Sequence, residues 1–330
     1  MAKNKKRKYF LGIDIGGTKV LTAVLDGRFR IRGEKKIKLD AHEDERQFFD
    51  ALENAVAEAL DSAGVRKKEL LAAGAGCPGM IENPKGIVRL SPNISFLKNC
   101  ALRERLTRMF GVPCVIENDV NAGLYGEQQF GAAEGYRHVF GIFMGTGVGG
   151  ALILDGKIYR GATGAAGEIG HVWLSLPNLL SQESMTLEAL TGRLAIAAGA
   201  GNLVLKQKAP HLYKLAGADL KKMKSKALKR AVRGGDHELR ALITDKSRVV
   251  GIAMANVVNL LNPELIVLGG GVVEAMGGII LPEAKKVMQA YAMAPIVKSV
   301  RVVPAKLKDD AVVMGAAKLA YDAVTRKEKR

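Results

Sequence analysis

Apolar and polar positions run first with a strand period and then with a helix period, and this series occurs twice. Residues 9–15 (YFLGIDI) predict a buried strand that ends in Gly16-Gly17-Thr18. Alternation resumes through Val20, Thr22 and Val24 to Asp26-Gly27, which predicts a hairpin, and another extended segment reaches Leu39. Within 43–63, Phe48, Leu52, Val56, Ala59 and Leu60 stand at helical spacing, with Gly64 as the stop. Leu70–Ala75 predicts a buried strand running into Cys77-Pro78-Gly79, followed by a helix at 102–110 and a strand at 113–117. From Asn118 the series restarts with a helix to about Gln129, then strands at 137–144 and 148–154 around Gly145-Thr146-Gly147. Beyond 171 the spacing is helical over 186–200, 236–261 (Asp236 as N-cap), 283–292 and 310–324 (Asp310 as a cap). A short buried strand, Leu265–Leu268, opens into Gly269-Gly270-Gly271.

Two copies of strand, Gly/Thr turn and strand predict a pseudo-duplicated α/β fold with a cleft between its halves. The expected division is an N-terminal α/β domain of residues 1–117 plus 311–330, with the last helix packed back onto it. A larger α/β domain, 118–310, would carry the helical segment 186–262.

Composition narrows the class. With 330 residues, 48% hydrophobic and 25% charged, the chain resembles an ordinary globular protein; collagen, coiled coil and wholesale disorder are excluded. No apolar run approaches the ~20 residues of a bilayer span, and Asp14 interrupts the N-terminal apolar stretch too early for a signal-peptide core. Cys77, Cys100 and Cys114 are too few for a disulfide framework and suit a reducing cytoplasm, as small buried side chains. The net charge of +17 is localised: five basic groups in 1–8, a net +3 in 326–330, and a net +9 in 206–233, where ten basic residues face only Asp219. Two tails and one patch read as solvated surface, with an anionic polymer on 206–233 as the alternative, and no element reads nucleic-acid sequence.

The glycine turns point to phosphate. At the strand end Asp14-Ile15-Gly16-Gly17-Thr18-Lys19, glycines let backbone N–H groups approach an anion, Thr18 adds a hydroxyl, and Asp14 suits a hydrated Mg²⁺. Gly145-Thr146-Gly147-Val148-Gly149-Gly150 repeats that chemistry, and Gly269–Gly271 makes a third turn; each alone would also serve as a tight hairpin or loop. Neither the Walker A pattern nor a Rossmann fingerprint is present. Asp119, in Glu117-Asn118-Asp119-Val120-Asn121, either takes a proton from an attacking hydroxyl or caps a helix. Glu168 and His171, with Glu188, suit vicinal sugar hydroxyls, and Pro78-Gly79 and Asn93 lie in loops that could present backbone or amide groups to the same ligand.

Taken in order, DIGGTK (14–19), CPG (77–79), SPN (91–93), ENDVNA (117–122), GTGVGG (145–150), GEIGH (167–171) and LGGG (268–271) resemble the ROK family of sugar kinases and related repressors. The resemblance covers residues 9 to about 320 and implies the actin-like ATPase (ribonuclease H-like) fold, two α/β domains around a hinge cleft. It implies ATP-dependent phosphorylation of a hexose, glucose to glucose 6-phosphate foremost, with Asp119 as general base. Pro78, Gly79, Asn93, Asn118, Glu168, His171 and Glu188 would bind the sugar. Asp14, Gly16, Gly17, Thr18, Lys19, Gly145, Thr146 and Gly147 would hold phosphates, with Mg²⁺ on Asp14 through water, and Gly269, Gly270 and Gly271 the adenosine. A homodimer is implied too. Fructose, mannose or an N-acetylhexosamine as acceptor, polyphosphate as donor, and a sugar-responsive regulator are the alternatives; thirteen residues before Asp14 are too few for a helix-turn-helix domain.

One departure stands out. The family usually carries a C-x-C-G-x-x-G-C zinc cluster after the GExGH histidine, whereas residues 172–187 here read VWLSLPNLLSQESMTL. Without thiolates a zinc site with His171 cannot be built there, so no zinc is expected.

Overall fold

The computed structural model describes residues 8–39, 44–92, 94–174 and 185–328, which fall into two compact units. Unit 1 takes the described residues of Met1–Gly135, Ile158–Ala166 and Asp309–Arg330, and unit 2 those of Tyr136–Lys157 and Gly167–Lys308. In chain order the elements begin β1 (Tyr9–Ile15), β2 (Lys19–Leu25), β3 (Ile31–Lys38), α1 (Glu45–Ala63), β4 (Leu70–Cys77), β5 (Met80–Glu82), β6 (Ile87–Leu90), α2 (Leu102–Phe110), β7 (Cys114–Asn118) and α3 (Asp119–Phe130). Next come β8 (Val139–Met144), β9 (Val148–Leu154), β10 (Lys157–Ile158), α4 (Leu187–Thr191), α5 (Arg193–Leu205), α6 (Pro210–Ala216) and α7 (Ser225–Gly234). The series ends with α8 (His237–Leu261), β11 (Leu265–Gly269), α9 (Gly271–Tyr291), α10 (Ala294–Val297), β12 (Arg301–Pro304) and α11 (Ala311–Glu328).

In unit 1 the sheet order is β3-β2-β1-β4-β7, antiparallel from β3 to β1 and parallel from β1 to β7. The pleat sends Leu11, Ile13 and Ile15 of β1 to one face, with Phe48, Leu52 and Val56 of α1. Phe10, with Leu21 and Ala23 of β2, goes to the other face, against Val313, Ala317 and Ala320 of α11. Covering both faces explains why these strands read as nearly continuous apolar runs. α11 lies almost in contact with the backbone beneath it: a Cβ on Gly74 would sit 1.9 Å from the Ala316 carbonyl oxygen, and one on Gly315 1.8 Å from that of Ala122 in α3. Because α3 packs this way on α11, it belongs to unit 1. The division expected after residue 117 therefore falls after Gly135, and Ile158–Ala166 also joins unit 1.

Unit 2 repeats the plan. Its sheet order is β10-β9-β8-β11-β12, with β9 antiparallel to β8 and β8, β11 and β12 parallel. Ile142, Leu152, Ile266 and Leu268 build its core with Val250, Met254 and Val257 of α8 and Met276 and Ile280 of α9. The helix expected over 186–200 is two, α4 and α5, broken at Gly192. The helix expected from 283 starts a dozen residues earlier as α9, which kinks at Met276 (φ −128°) and carries Pro282 in its interior. Asp236 precedes α8, but its buried carboxylate caps another helix: it accepts from the His211 and Leu212 amides (3.0 and 2.8 Å) in the first turn of α6 and from His211 Nδ1 (3.0 Å). Among the described residues no helix is long and apolar enough to cross a membrane.

Candidate active site

Unit 1 gathers acids at the ends of β1 and β7. Asp14 lies next to last in β1, and the following turn is closed by the Gly16 amide donating to the Lys19 carbonyl (2.9 Å). Burial, and then the charge of Asp119, push the Asp14 carboxyl up to about 7, while Lys19 pulls the other way. Asp119 is therefore electrostatically coupled to Asp14 although 105 positions separate them in sequence. A cation shell accompanies the pair. Asp309 accepts from Lys19 Nζ (3.2 Å) and Lys36 Nζ (2.8 Å), and the Lys36 bond, first among the causes, holds the Asp309 carboxyl below its ordinary range.

The open question about Asp119, base or cap, is settled as to the cap. Asn118 is the N-cap of α3: its Oδ1 accepts from the Asn121 amide (3.0 Å) and its Nδ2 donates to the Gly79 carbonyl (3.2 Å). Asp119 is the first helical residue, and its Oδ1 accepts from the Val120 amide (3.0 Å). The bond to Gly79 brings Pro78-Gly79 to Asn118; Gly79 sits at φ +106°, where a side chain would be strained. Asn93 lies outside the described residues.

Unit 2 gathers the remaining groups. The Gly145 amide donates to the Gly147 carbonyl (2.9 Å), closing the turn between β8 and β9, and Arg193 Nη2 donates to Thr146 Oγ1 (3.2 Å). Glu188, one residue into α4, braces that turn: its Oε2 accepts from the Val148 amide (2.8 Å), and a Cβ on Gly147 would lie 1.9 Å from the same oxygen. Glu168 and His171 stand by Glu188. Burial raises the Glu168 carboxyl, His171 opposes the shift and Glu188 adds to it. Gly270, at φ +85°, packs against the Met144 carbonyl, where a Cβ would be 2.5 Å away, so the third glycine turn adjoins the second.

Among the described residues no cluster of three or more His, Cys, Asp or Glu is arranged to hold a metal. Where the family has its cysteine cluster, the segment ends are joined by backbone bonds, Leu174 amide to Met185 carbonyl (3.0 Å) and Leu187 amide to Val172 carbonyl (3.0 Å). Residues 175–184 between them lie outside the described residues. Cys77 and Cys114 are buried and free; burial lifts the Cys114 thiol to about 11.

Two partnerships escape sequence reading, Lys36 with Asp309 and Glu117 with Arg160. Only one signal pointed to either: an acid at the apolar end of β7 needs a cation, but nothing along the chain says which.

Comparison with known proteins gives this arrangement its relatives. The ROK family profile matches residues 10–323. A glucokinase of Thermotoga maritima is 31% identical over 322 residues, covering 95% of this chain and 98% of its own. A ROK family glucokinase from Streptomyces griseus, solved in complex with glucose and AMPPNP, superposes with a TM-score of 0.83 at 28% identity, over 95% of this chain and 99% of that one. A xylose repressor of Caldicellulosiruptor bescii is 27% identical over 94% of this chain and 78% of its own length. These likenesses fix the fold as α/β of the actin-like ATPase type. By its motifs, its two repeated sheets and the near-complete match, this chain belongs to the ROK family.

Proposed function

We propose that the chain phosphorylates a hexose with ATP, glucose being the first acceptor to test, and that Asp119 is the general base. The observation that carries this reading is the pairing of Asp119 with Asp14: two carboxylates of one unit, coupled in charge, at a strand end that opens into a Gly-Gly-Thr turn. Repressors share the family, so family membership alone does not select a kinase; the acidic centre does.

In the proposed reaction Asp119 takes the proton of the sugar 6-hydroxyl, whose oxygen bonds to the γ-phosphorus while the bond from phosphorus to the ADP oxygen breaks. Asn118, Pro78-Gly79, Glu168, His171 and Glu188 orient the sugar, with Asn93 as a further proposed ligand. The backbone amides of Gly16, Gly17, Gly145 and Gly147, the hydroxyls of Thr18 and Thr146, and the Lys19 ammonium hold phosphate oxygens. Asp14 fits a hydrated Mg²⁺: it is a desolvated oxygen donor beside a second carboxylate, a setting that favours an added cation. When bound, the ion supplies neutralisation of phosphate charge.

The nucleoside end of ATP is assigned to Gly269–Gly271 and to a pocket of about 670 Å³ along the start of α9, lined by Val273, Glu274, Met276 and Gly277. Its rim carries Lys229, Arg233 and Arg240, the first two from the basic 206–233 segment. That rim favours a second reading in which polyphosphate is the donor.

Asp119→Asn is the test. Sugar binding by calorimetry should persist while turnover falls by at least ~10². Near-normal turnover would remove Asp119 from the role.

A further inference from the structure

Glu117 has no part in the chemistry above, yet its carboxylate is held on both oxygens. Its side chain lies at the end of β7, 1% exposed. Oε2 accepts from Nε of Arg160 (2.7 Å) and forms an ion pair with its Nη2 (2.6 Å). Oε1 accepts from the Asn118 amide (3.1 Å) and from Asn121 Nδ2 (3.1 Å). A carboxylate so deeply buried needs a counter-charge and hydrogen-bond donors to offset its desolvation, and Arg160 supplies the counter-charge.

The position of these bonds gives them a consequence. Asn118 is the cap of α3, Asn121 lies in its first turn, and Asp119 stands between them. Glu117 therefore grips the helix start on both sides of Asp119, and Arg160 fixes the grip from outside. Arg160 itself is anchored: its carbonyl accepts from the Ala166 amide (3.1 Å), and the same loop packs Gly164 on the Ile81 carbonyl, where a Cβ would be 2.4 Å away. We propose that Arg160, acting through Glu117, is a positioning residue that sets the direction of the Asp119 carboxylate.

The proposal rests on Asp119 as general base. Displacing a catalytic group by about 1 Å costs on the order of 10² in rate without abolishing binding, so the effect belongs in kcat. Arg160→Ala should lower kcat for the sugar by about 10- to 100-fold with KM changed less than about 3-fold. Ethylguanidinium added to that variant should restore part of the loss saturably, because a guanidinium refills the slot. Glu117→Gln combined with Arg160→Ala should be no slower than Arg160→Ala alone, since both cut one linkage. If Arg160→Ala fails to fold, Arg160→Lys carries the test. Lysine keeps the charge but cannot place two nitrogens on one oxygen, so kcat should still fall several-fold.

An unchanged kcat in the folded variant, with only a lower melting temperature, would overturn the proposal, as would multiplicative losses in the double variant or no response to guanidinium. The two readings separate cleanly. An active Asp119→Asn protein defeats the base assignment, whereas an inactive Asp119→Asn beside a fully active Arg160 variant defeats the positioning role alone.

Discussion

Asp14 shows what a functional position costs a fold. The unfolded chain titrates this carboxyl near 3.8, while the folded protein raises it to about 7. Between those values the native state binds more protons than the unfolded state, so stability drawn from this group is present at low pH and is lost as pH rises from about 4 to about 7. Asp14→Asn removes that loss. Without Mg²⁺ the variant should be more stable than the parent at pH 8, by on the order of 4 kcal/mol, and the gap should close toward pH 4. Denaturant melts across that range decide it; equal stabilities at pH 8 would mean that folding does not raise the Asp14 carboxyl. The sequence singles out Asp14 and Asp119 as acids at strand ends, with a helix cap as the alternative for Asp119 and its role as base implied by the ROK resemblance. It does not single out their companions. Lys36 and Asp309, though partners at 2.8 Å, are two charges among many in a basic chain, and only the fold brings them together.

Elements were legible where one signal dominated. β1 and β4, buried on both faces, read as plain apolar runs, and Gly64 ended α1 in the left-handed conformation its residue type favours (φ 65°). Elements were misread where local and tertiary preferences diverged. The helix expected over 283–292 begins at Gly271 instead: α9 runs through Pro282, and its kink lies six residues earlier at Met276, beside Gly277 and Gly278. Asp236 is the N-cap residue of α8, as its position implies, but its carboxylate makes no capping bond there. The carboxylate is buried and turns to the amides of His211 and Leu212, stitching the start of α6 to that of α8. Asp236→Ala would leave two amide donors of a helix N-terminus without their acceptor, at a cost of about 2–4 kcal/mol. Asp236→Asn keeps one acceptor oxygen and should cost less. Urea denaturation of the three proteins checks the order, and an Asp236→Ala protein as stable as the parent would show that water replaces the carboxylate.

At the scale of the whole molecule the duplication was readable from two glycine turns, since both sheets have the same strand order, with an antiparallel neighbour on one side of the first strand and two parallel strands on the other. The donor was not readable, because it depends on where the charge goes. The excess of +17 sits in the tails and in 206–233, and α7 brings part of the latter to a pocket rim with Arg240. Salt separates the possibilities. A polyanion held by three such groups releases counterions, so its apparent affinity should fall roughly 20-fold between 50 and 200 mM salt. ATP, held chiefly by glycine-turn amides and a metal ion, should change KM by less than about 3-fold over that range. Turnover with ATP should therefore survive the salt, whereas polyphosphate-driven turnover should collapse under the salt and under the triple change Lys229→Gln, Arg233→Gln, Arg240→Gln. No phosphate transfer from polyphosphate at 50 mM salt would dismiss it as a donor. Transfer that ignores both salt and the triple change would move its binding away from the α7–α9 pocket.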